Sequence, residues 1–599
     1  MGEASMRSIL LVCLTMMVTA CGQPNPDACC TTTDDCLKYG FSGITLCAGD
    51  RVCSSAGTCV DPACHTTPDC NDPALICDVY GQCVPEGQGS NQSTFKLTVQ
   101  IAGSGVGTVA SSPAGLTCST GTCTGEFETG TEVTLTQVAS GGTFLGWANA
   151  CRGTDSCTVT MSADRRVGAM FGSRGEVLWG KPLDGSGLEW GHGAAVDGNG
   201  DVVAVGQYLG TMNLDSVSLQ SDSTSVTSAY VVGLDGISGK AIWGKNYPVE
   251  SANMIASDGV ALYVIGLFTG TVQLGSTTLT SRGLYDVYAM KLNGVGEVQW
   301  AMSVGGPGSE FPTGISASNG TVAFVGSEQN GITIGSAVTP DAGAPTGFVA
   351  AIDAGTGALK WSRVFVSGGA TASTRAVVAG STVIVGGAAI GTLDFGAGNV
   401  AAIGANDAFV ARYEPDTGNL AKFDHWGASG SSSAINALSE DSAGHLVATG
   451  TFFGSLTIGA QTHTGSGNSP FVASFDGSTN LWYSGWSGTP TGASMIVAPM
   501  SISAGASEAA IAGVFCNGSL HISATTLIGT SCTVQNQFRT GFLARLKNNG
   551  STYLSIHSLG PVGWVDAVAR ATDDRLFVTG KLLTSLSMES GPVLVQSAD

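Results

Sequence analysis

The chain has 599 residues, of which 87 are glycine and only 12% are charged. This composition, rich in Gly, Val, Thr and Ser, favours short strands and tight turns and argues against a mainly helical protein. The formal net charge of -21 would repel a nucleic-acid backbone or an anionic membrane surface. We therefore expect no nucleic-acid partner, whereas cations, basic partners or neutral glycans fit the charge.

The N-terminus has the features of a targeting segment. Arg7 precedes an apolar run from Ile9 to Val18, which continues into Val18-Thr19-Ala20-Cys21. These last four residues resemble a bacterial lipobox, in which small residues allow cleavage before a cysteine that then carries the lipid. The resemblance implies a signal peptide over residues 1–20, lipid attachment at Cys21 and a tether over residues 21–28. An ordinary secretory signal with a coincidental cysteine is the alternative.

The residue after this cysteine is Gly22, not the aspartate associated with inner-membrane retention. The resemblance therefore implies an outer-membrane or cell-surface location, with the N-terminal lipid as the contact to the membrane. Beyond Cys21 no segment offers the roughly 20 apolar residues that a membrane span needs. We expect the remainder of the chain to be soluble.

The 18 cysteines fall into groups. After Cys21, ten lie in residues 29–83, four in residues 118–157, and two near residue 520. Even groups in an exported chain favour disulfides over metal ligands and indicate an oxidising compartment or the cell exterior. The candidate disulfide cysteines of the later groups are Cys118, Cys123, Cys151, Cys157, Cys516 and Cys532.

Residues 29–84 form a cysteine-dense module with two Cys-x5-Cys-Val motifs, at residues 53–60 and 77–84. Few apolar side chains are present, so cross-links must supply the stability of this module. Zinc is disfavoured because Cys-x2-Cys pairs are absent and His65 stands alone. A polar linker over residues 85–94 follows the module.

Residues 95–172 are rich in strand-forming segments. The segments are Phe95–Val99, Gly105–Val109, Gly130–Leu135, Phe144–Trp147 and Val167–Phe171. Together they resemble the internalin-type B-repeat domain of bacterial surface proteins. In that family such domains are usually stalks or spacers, so the resemblance implies reach rather than catalysis. Cys118 with Cys123 and Cys151 with Cys157 look like local staples, which departs from the cysteine-free form of the family.

From residue 173 to residue 599 the chain repeats itself. A strand that ends in glycine recurs at intervals of 60, 60, 60, 64, 63 and 67 residues, and an aromatic residue on a preceding strand keeps nearly the same period. Seven units are present by either marker. The marker glycines are Gly206, Gly266, Gly326, Gly386, Gly450, Gly513 and Gly580, and the marker aromatics are Trp179, Trp243, Trp300, Trp361, Phe423, Trp482 and Tyr553.

Two further segments recur in most units. A Gly-Thr segment such as Gly270–Leu274 predicts a third strand and one such as Tyr288–Leu292 a fourth, so each unit forms one propeller blade. These units resemble the SBBP-type β-propeller repeats of bacterial surface and secreted proteins. The predicted fold class is all-β, with a seven-bladed β-propeller over residues 173–599 preceded by the B-repeat domain and the disulfide-rich module.

The fourth-strand segment appears only six times, so the last blade needs a strand from elsewhere. We expect Val167–Phe171 or the strand through Trp179 to complete it, because joining the two ends of the propeller removes an exposed sheet edge.

The fragment Asp353–Trp361 also resembles the tryptophan-docking motif of quinoprotein propellers and of a lipid-anchored propeller in envelope assembly. A quinoprotein pocket is expected to carry a vicinal disulfide, but the adjacent cysteines Cys29 and Cys30 lie in the distant module. We therefore interpret the tryptophan as packing between blades and expect no cofactor.

Signals for metal binding and catalysis are weak. Asp197, Asn199 and Asp201 alternate with glycine, as in a calcium loop, but the distal glutamate of an EF-hand is missing and a glycine-rich hairpin turn is favoured. The seven histidines show neither metal-ligand nor catalytic-triad spacing. We predict no catalytic residues, and calcium remains the one metal to consider.

Three aromatic residues form the candidate ligand platform. Trp190, Phe311 and Trp564 each lie 11 residues after a marker aromatic, on what we expect to be loops at one face of the propeller. Aromatic rings there suit stacking on sugars or on an apolar protein anchor. The alternative is that they fill gaps between blades.

The order of anchor, stapled module, spacer and ring suggests a monomeric, lipid-tethered protein that displays a propeller for protein or glycan recognition without catalysis. A propeller enzyme acting on glycans and an envelope-assembly adapter are the alternatives. Two or more carboxylates converging in the central channel or in a cleft of one face would favour the enzyme.

Overall fold

The computed structural model describes residues 94–581, with gaps at 174–176, 184, 188, 224–225, 336, 339–345, 366–371, 380–381, 491–494, 530–531, 533–538, 563, 572 and 574, together with residues 52–53, 59–60, 75–77, 83–85 and 593–595. The signal peptide, Cys21, the tether, most of the disulfide-rich module and nearly all of the linker lie outside the described residues. All described regular structure is β-strand, and no helix capable of crossing a membrane occurs in this part of the chain.

Four short strands of the cysteine-dense module are described. Val52–Cys53 pairs with Cys59–Val60, and Leu75–Cys77 pairs with Cys83–Pro85. Each Cys-x5-Cys motif is therefore a hairpin in which the two cysteines occupy directly opposite positions.

Residues 94–172, which we call the β domain, form two four-stranded sheets. The disulfides Cys118–Cys123 and Cys151–Cys157 are formed, as the sequence predicted. Side chains alternate between buried and exposed along the strands, as expected where only one face of each sheet is covered. The strands, in sheet order, are Thr143–Asn149, Arg165–Gly172, Thr94–Ala102 and Thr122–Glu128 in the first sheet, and Cys157–Thr160, Glu132–Gly141, Val106–Ser112 and Thr117–Cys118 in the second.

Seven antiparallel sheets follow along the described chain, and we number them as blades 1 to 7 of four strands each. In blade 2 the fourth strand also pairs with the hairpin of Thr333–Ile334 and Ala337–Val338, which makes that sheet six-stranded. The strands, from first to fourth, are Glu189–Val196, Val202–Tyr208, Ser228–Leu234 and Ala241–Tyr247 in blade 1; Ser251–Ser257, Leu262–Phe268, Asp286–Leu292 and Val298–Gly305 in blade 2; Phe311–Ser318, Thr321–Glu328, Thr346–Asp353 and Leu359–Val364 in blade 3; Ala372–Ala379, Thr382–Ala389, Asp407–Tyr413 and Leu420–Trp426 in blade 4; Ser432–Glu440, Leu446–Ile458, Gln461–Asp476 and Thr479–Gly485 in blade 5; Ile496–Ala504, Glu508–Cys516, Arg539–Lys547 and Tyr553–Val562 in blade 6; and Trp564–Arg570, Leu576–Lys581, Val593–Val595 and Val177–Gly180 in blade 7.

The blades form a closed ring. The first strand of each blade contacts the first strand of the next, and the first strand of blade 7 contacts that of blade 1. The strand through Trp179, Val177–Gly180, pairs with Val593–Val595 and completes blade 7, which confirms one of the two expected routes of closure. Val167–Phe171 instead belongs to the β domain. The predicted all-β propeller is therefore confirmed.

The predicted order of strands within a blade is wrong in one respect. The Gly-Thr segments are not third strands but enter separate short hairpins between the second and third strands, such as Thr211–Leu214 with Val217–Gln220. This hairpin folds back on the fourth strand, because a Cβ at Gly244 would lie 2.6 Å from the side chain of Val217. The hairpin thus covers apolar surface at the rim of the blade. In blade 6 the disulfide Cys516–Cys532 closes around the corresponding hairpin.

The marker glycines are required by close packing at the second strand. A Cβ at Gly206 would lie 1.9 Å from the carbonyl oxygen of Trp190 on the first strand and 2.6 Å from the hydroxyl of Tyr230 on the third. Gly266 and Gly450 are enclosed in the same way. No larger residue fits between a backbone carbonyl and an aromatic ring. In blade 4 the glycine opposite the third-strand aromatic is Gly387, one residue after the marker.

Most marker tryptophans join one blade to the next. Trp361 of blade 3 packs on Gly418 in the turn between the third and fourth strands of blade 4, and its indole N–H donates to Pro415 O at 2.9 Å. The same contact occurs in five blades, and in each the turn glycine has a positive φ, so the turn presents bare backbone to the indole. The corresponding pairs are Trp179–Gly239, Trp243–Gly296, Trp300–Gly357, Trp361–Gly418 and Trp482–Gly550.

The β domain is not a free spacer, contrary to the expectation from its resemblance. Residues 98–124, 133–159 and 166–172 belong to the same compact unit as the propeller. Arg166 forms ion pairs with Asp201 and Asp235 of blade 1. Ala148 and Met170 pack with Ile237 of blade 1 in a small apolar cluster. These residues of the β domain therefore pack on the ring.

Arg575 of blade 7 is the centre of this junction. Its side chain is fully buried, its Nε pairs with Asp573 at 2.9 Å, and its Nη2 donates to Asn149 Oδ1 of the β domain at 2.8 Å. The same guanidinium also donates to the carbonyls of Gly200 and Gly236 in blade 1. One side chain thus connects the β domain to both blades that meet where the ring closes.

We expect Gly418→Ala to destabilise the propeller. The residue has φ +68°, and a Cβ there would lie 2.5 Å from the indole of Trp361. The left-handed backbone alone costs about 1–2 kcal/mol for a non-glycine residue. Thermal unfolding followed by circular dichroism should show a lower midpoint. Gly294→Ala is the control, because a Cβ there meets nothing within 4 Å. Equal midpoints for both variants would contradict this account of blade docking.

Arg575→Met should weaken the junction between the β domain and the ring. The variant keeps an unbranched side chain but leaves the buried Asp573 carboxylate without its ion-pair partner and two carbonyls without this donor, a loss of about 3–5 kcal/mol. Chemical denaturation measures the free energy of unfolding, with exposed Arg152→Met as the control. An unchanged value would show that the guanidinium contributes nothing to the junction.

Candidate functional site

The loops of the propeller lie on two faces because the strands of each blade alternate in direction. The front face carries the loops that lead into the first strands and those between second and third strands. The back face carries the turns that join first to second and third to fourth strands. Asp201, Asp235 and Gly236, which contact the β domain or its junction residue, all lie in back-face turns of blade 1.

The three candidate platform residues lie in first strands at the front face, not in the loops where we expected them. Trp190, Phe311 and Trp564 are paired with Gln207, Ser327 and Lys581 respectively. The first strands that carry Trp190 and Trp564 are neighbours in the ring, whereas Phe311 lies in blade 3. Trp190 is half-buried and Phe311 is 44% exposed, while the side chain of Trp564 lies outside the described residues.

Phe311 has an aromatic neighbour that the sequence analysis missed. The ring of Tyr285 lies 6.4 Å from that of Phe311, centre to centre, at 36°, and Tyr285 is 42% exposed. The pair is held by backbone contacts between blades: Glu310 N donates to Tyr285 O at 2.8 Å, and Leu284 N donates to Gly308 O at 2.9 Å. The side chain of Leu284, the residue before Tyr285, is also exposed. We call these three side chains, Leu284, Tyr285 and Phe311, the aromatic patch.

Three fully buried carboxylates adjoin the aromatic patch: Asp286, Glu310 and Glu328. We call them the acid cluster. The carboxylate of Asp286 accepts the backbone N–H of Arg282 at 3.0 Å, and Glu310 Oε2 accepts that of Gly306 at 3.0 Å. Glu310 Oε1 is buried without a hydrogen-bond partner among the described residues.

Burial raises the pKa of Glu310 to about 7, because the charged form loses its hydration. The hydrogen bond from Gly306 opposes this rise, and the neighbouring carboxylates of Asp286 and Glu328 add to it. Glu310 is therefore half-ionised near neutral pH, which is unusual for a glutamate.

The central channel is lined by first strands, and each first strand carries a β-bulge. The pairing of the first strand with the second skips one residue near the middle of each first strand. The skipped residue lies 12 to 14 residues before the marker glycine, and this spacing was not recognised in the sequence. Bulges re-aim side chains and are frequent next to functional sites. The skipped residues are His192, Asn253, Thr313, Thr374, Asn436, Met500 and Asp566.

A cavity of about 250 Å³ occupies the channel. Its described lining is mainly Gly, Ala, Leu and Ile, with His192, Asn253 and Asp566 among its polar groups. Asp566 is the one carboxylate of this lining. Hydrolysis of a glycosidic bond uses two carboxyl groups in most families.

The candidate calcium residues are engaged within the protein. Asp197 Oδ1 accepts the backbone N–H of Asn199 at 2.8 Å and of Asp201 at 2.9 Å, which is the arrangement of a side-chain-stabilised turn. The carboxylate of Asp201 pairs with Arg166. Burial raises the pKa of Asp201, and the charge of Arg166 acts to lower it. No group of three or more metal-ligating side chains occurs among the described residues.

The fragment Asp353–Trp361 serves blade packing. Asp353 Oδ1 accepts the backbone N–H and the hydroxyl of Thr356, both at 2.8 Å, and the hydroxyl contact is the largest cause of a lowered Asp353 pKa. Trp361 is buried against the next blade. Cys29 and Cys30 lie outside the described residues.

No protein-family model and no curated protein sequence matches this chain. Solved structures with a similar fold include BamB from Moraxella catarrhalis (14% identity, 65% of this chain and 97% of that chain, TM-score 0.28) and the Pan2 WD40 domain of Neurospora crassa (9% identity, 70% and 98%, TM-score 0.34). The quinohemoprotein alcohol dehydrogenase of Comamonas testosteroni is another (12% identity, 70% and 76%, TM-score 0.31). At these values no function transfers, and the strand pairings described above establish the propeller.

We expect Glu310→Gln to change how stability depends on pH. The pKa of Glu310 is about 7 in the folded chain against an ordinary value of 4.5, so the folded state binds the proton more tightly and loses stability as pH rises across that interval. Glutamine stays neutral and removes this loss. The melting temperature of the variant should therefore exceed that of the parent at about pH 8 more than at about pH 4.

The exposed Glu132→Gln is the control for this measurement. A constant difference between Glu310→Gln and the parent over the whole pH range would show that Glu310 titrates normally.

Proposed function

We propose that this chain is an exported, lipid-anchored protein of the outer membrane or cell surface, which displays its propeller to bind a protein or glycan ligand and performs no catalysis. The propeller and its disulfides are features of the structure, and the anchor at Cys21 is part of the proposal.

Export is supported by the cysteines. Three disulfides are formed in the described residues, and such bonds persist in oxidising compartments and rarely in the cytosol. The lipobox-like residues up to Cys21 precede this part of the chain and supply a route to the membrane.

Binding is supported by one observation above all: the aromatic patch is exposed at the front face. Soluble proteins bury most large apolar side chains, and contiguous exposed ones mark interaction sites. Aromatic residues also contribute strongly to the binding energy of protein interfaces and stack on sugar rings.

The alternative of an enzyme acting on glycans requires two convergent carboxylates with access to substrate. Of the carboxylates described here, Asp566 reaches the channel cavity, whereas the acid cluster is fully buried. The alternative of an envelope-assembly adapter rests on fold analogy alone.

The test is site-specific photo-crosslinking in the native cells, together with a glycan array probed with the full chain. A photoreactive amino acid at Leu284, which is 70% exposed on the front face, should give a discrete adduct or, for a glycan ligand, the array should show specific binding that Tyr285→Ala/Phe311→Ala removes. Val260, which is 88% exposed in a back-face turn, is the control position. If no adduct forms at Leu284 and the array shows no specific binding, the proposal is refuted.

A further inference from the structure

We propose that the aromatic patch binds a basic side chain, arginine or lysine, of a partner protein, and that the negative charge of the buried acid cluster favours this cation. This inference rests on the proposed function and names its partner class. The site lies at the front-face junction of blades 2 and 3.

The rings provide the surface that a cation would contact. Tyr285 and Phe311 are inclined by 36° with centres 6.4 Å apart, and each leaves about two fifths of its surface open to solvent. A guanidinium or ammonium group is attracted to an aromatic face when it lies within about 6 Å of the ring centre. The aliphatic stem of the same side chain then has Leu284 to pack against.

The carboxylates are fully buried, so they act on the bound cation through their charge and not by contact. Asp286 directly follows Tyr285 in the chain, and Glu310 directly precedes Phe311. Glu328, from the neighbouring strand, raises the pKa of Glu310. Buried charges are screened less than exposed ones, so the cluster projects negative potential toward the patch. Glu310 Oε1 has no hydrogen-bond partner within the described chain. Arg282 is exposed, and its guanidinium contacts Ser303 at 3.4 Å.

The junction of blades 4 and 5 offers an internal comparison. It has the same backbone connection, in which Ala405 N donates to Ser431 O and Ser433 N to Asn406 O. Asp407 there occupies the place of Asp286, but it pairs with the imidazole of His425 at 2.8 Å.

The side chains at the other places differ in a consistent way. Asn406 and Ala434 stand where blades 2 and 3 have Tyr285 and Phe311, and Ser433 stands in place of Glu310. Ser303 occupies the place of His425. Thus the junction with an internal imidazole lacks the aromatic rings, and the junction with the rings has serine in place of that imidazole. The guanidinium of Arg282 lies 3.4 Å from that serine, and because Arg282 is exposed, the rings beside it remain open to a further cation from a partner.

The experiment is a calorimetric titration of the full chain at about pH 8. One titration uses a capped Leu-Arg-Leu peptide, and a second uses its neutral citrulline analogue. We expect the arginine peptide to bind about tenfold more tightly than the citrulline peptide, and Phe311→Ala or Tyr285→Ala to weaken it by a similar factor. Glu310→Gln should weaken binding at about pH 8 while leaving it unchanged at about pH 5, where the parent glutamate is protonated.

Val260→Ala is the matched control, and circular dichroism of each variant verifies folding; a misfolded aromatic variant is replaced by Phe311→Leu. Equal binding of the two peptides, or binding unaffected by Phe311→Ala, would overturn the inference. Tighter binding of choline than of the arginine peptide would also overturn it, because a partner protein would then not be the source of the cation. A front-face adduct at Leu284 without preference for arginine would leave the proposed function standing and reject only this inference.

Discussion

The structure depends on the contact between an indole ring and a bare turn of the next blade. A four-stranded sheet of this composition is apolar on both faces and has no stability alone, so every blade requires neighbours on both sides. The tryptophans of the fourth strands supply that contact by packing on glycines of positive φ, as Trp300 does on Gly357. Because the indole also donates a hydrogen bond to a carbonyl of that turn in several blades, the contact sets the position of one blade against the next as well as stabilising it.

The spacing of the blades determines which side chains of different blades meet. Once blades are held at fixed spacing, four of the bulged residues, His192, Asn253, Met500 and Asp566, line the channel cavity, and segments of adjacent blades meet at the front face. Tyr285 of blade 2 and Phe311 of blade 3 become one surface only because a backbone connection links the two blades there. The same connection between blades 4 and 5 carries an internal contact between a carboxylate and an imidazole instead. The repeat thus provides equivalent positions, and individual side chains give each junction its chemistry.

The β domain makes contacts that its sequence did not predict. Its family resemblance implied a spacer, yet Arg166 and Asn149 connect it to the turns of blades 1 and 7, where the ring closes. The ring is closed there by strands from both ends of the propeller segment, which leaves no exposed sheet edge, and the buried Arg575 contacts both blades. The domain occupies back-face turns, which is consistent with recognition at the front face.

The sequence by itself determined the propeller, because period, marker glycines and marker tryptophans reflect contacts that recur identically in each unit. It also identified the later disulfides, whose cysteines are close in sequence, and Phe311 as an exposed aromatic. Only the tertiary structure decided which residues meet across blades and domains: Tyr285 with Phe311, the acid cluster, and Arg575 with Asn149, which is 426 positions away. Such pairs carry no period and no common spacing, since each forms once, between segments brought together by the closing of the ring.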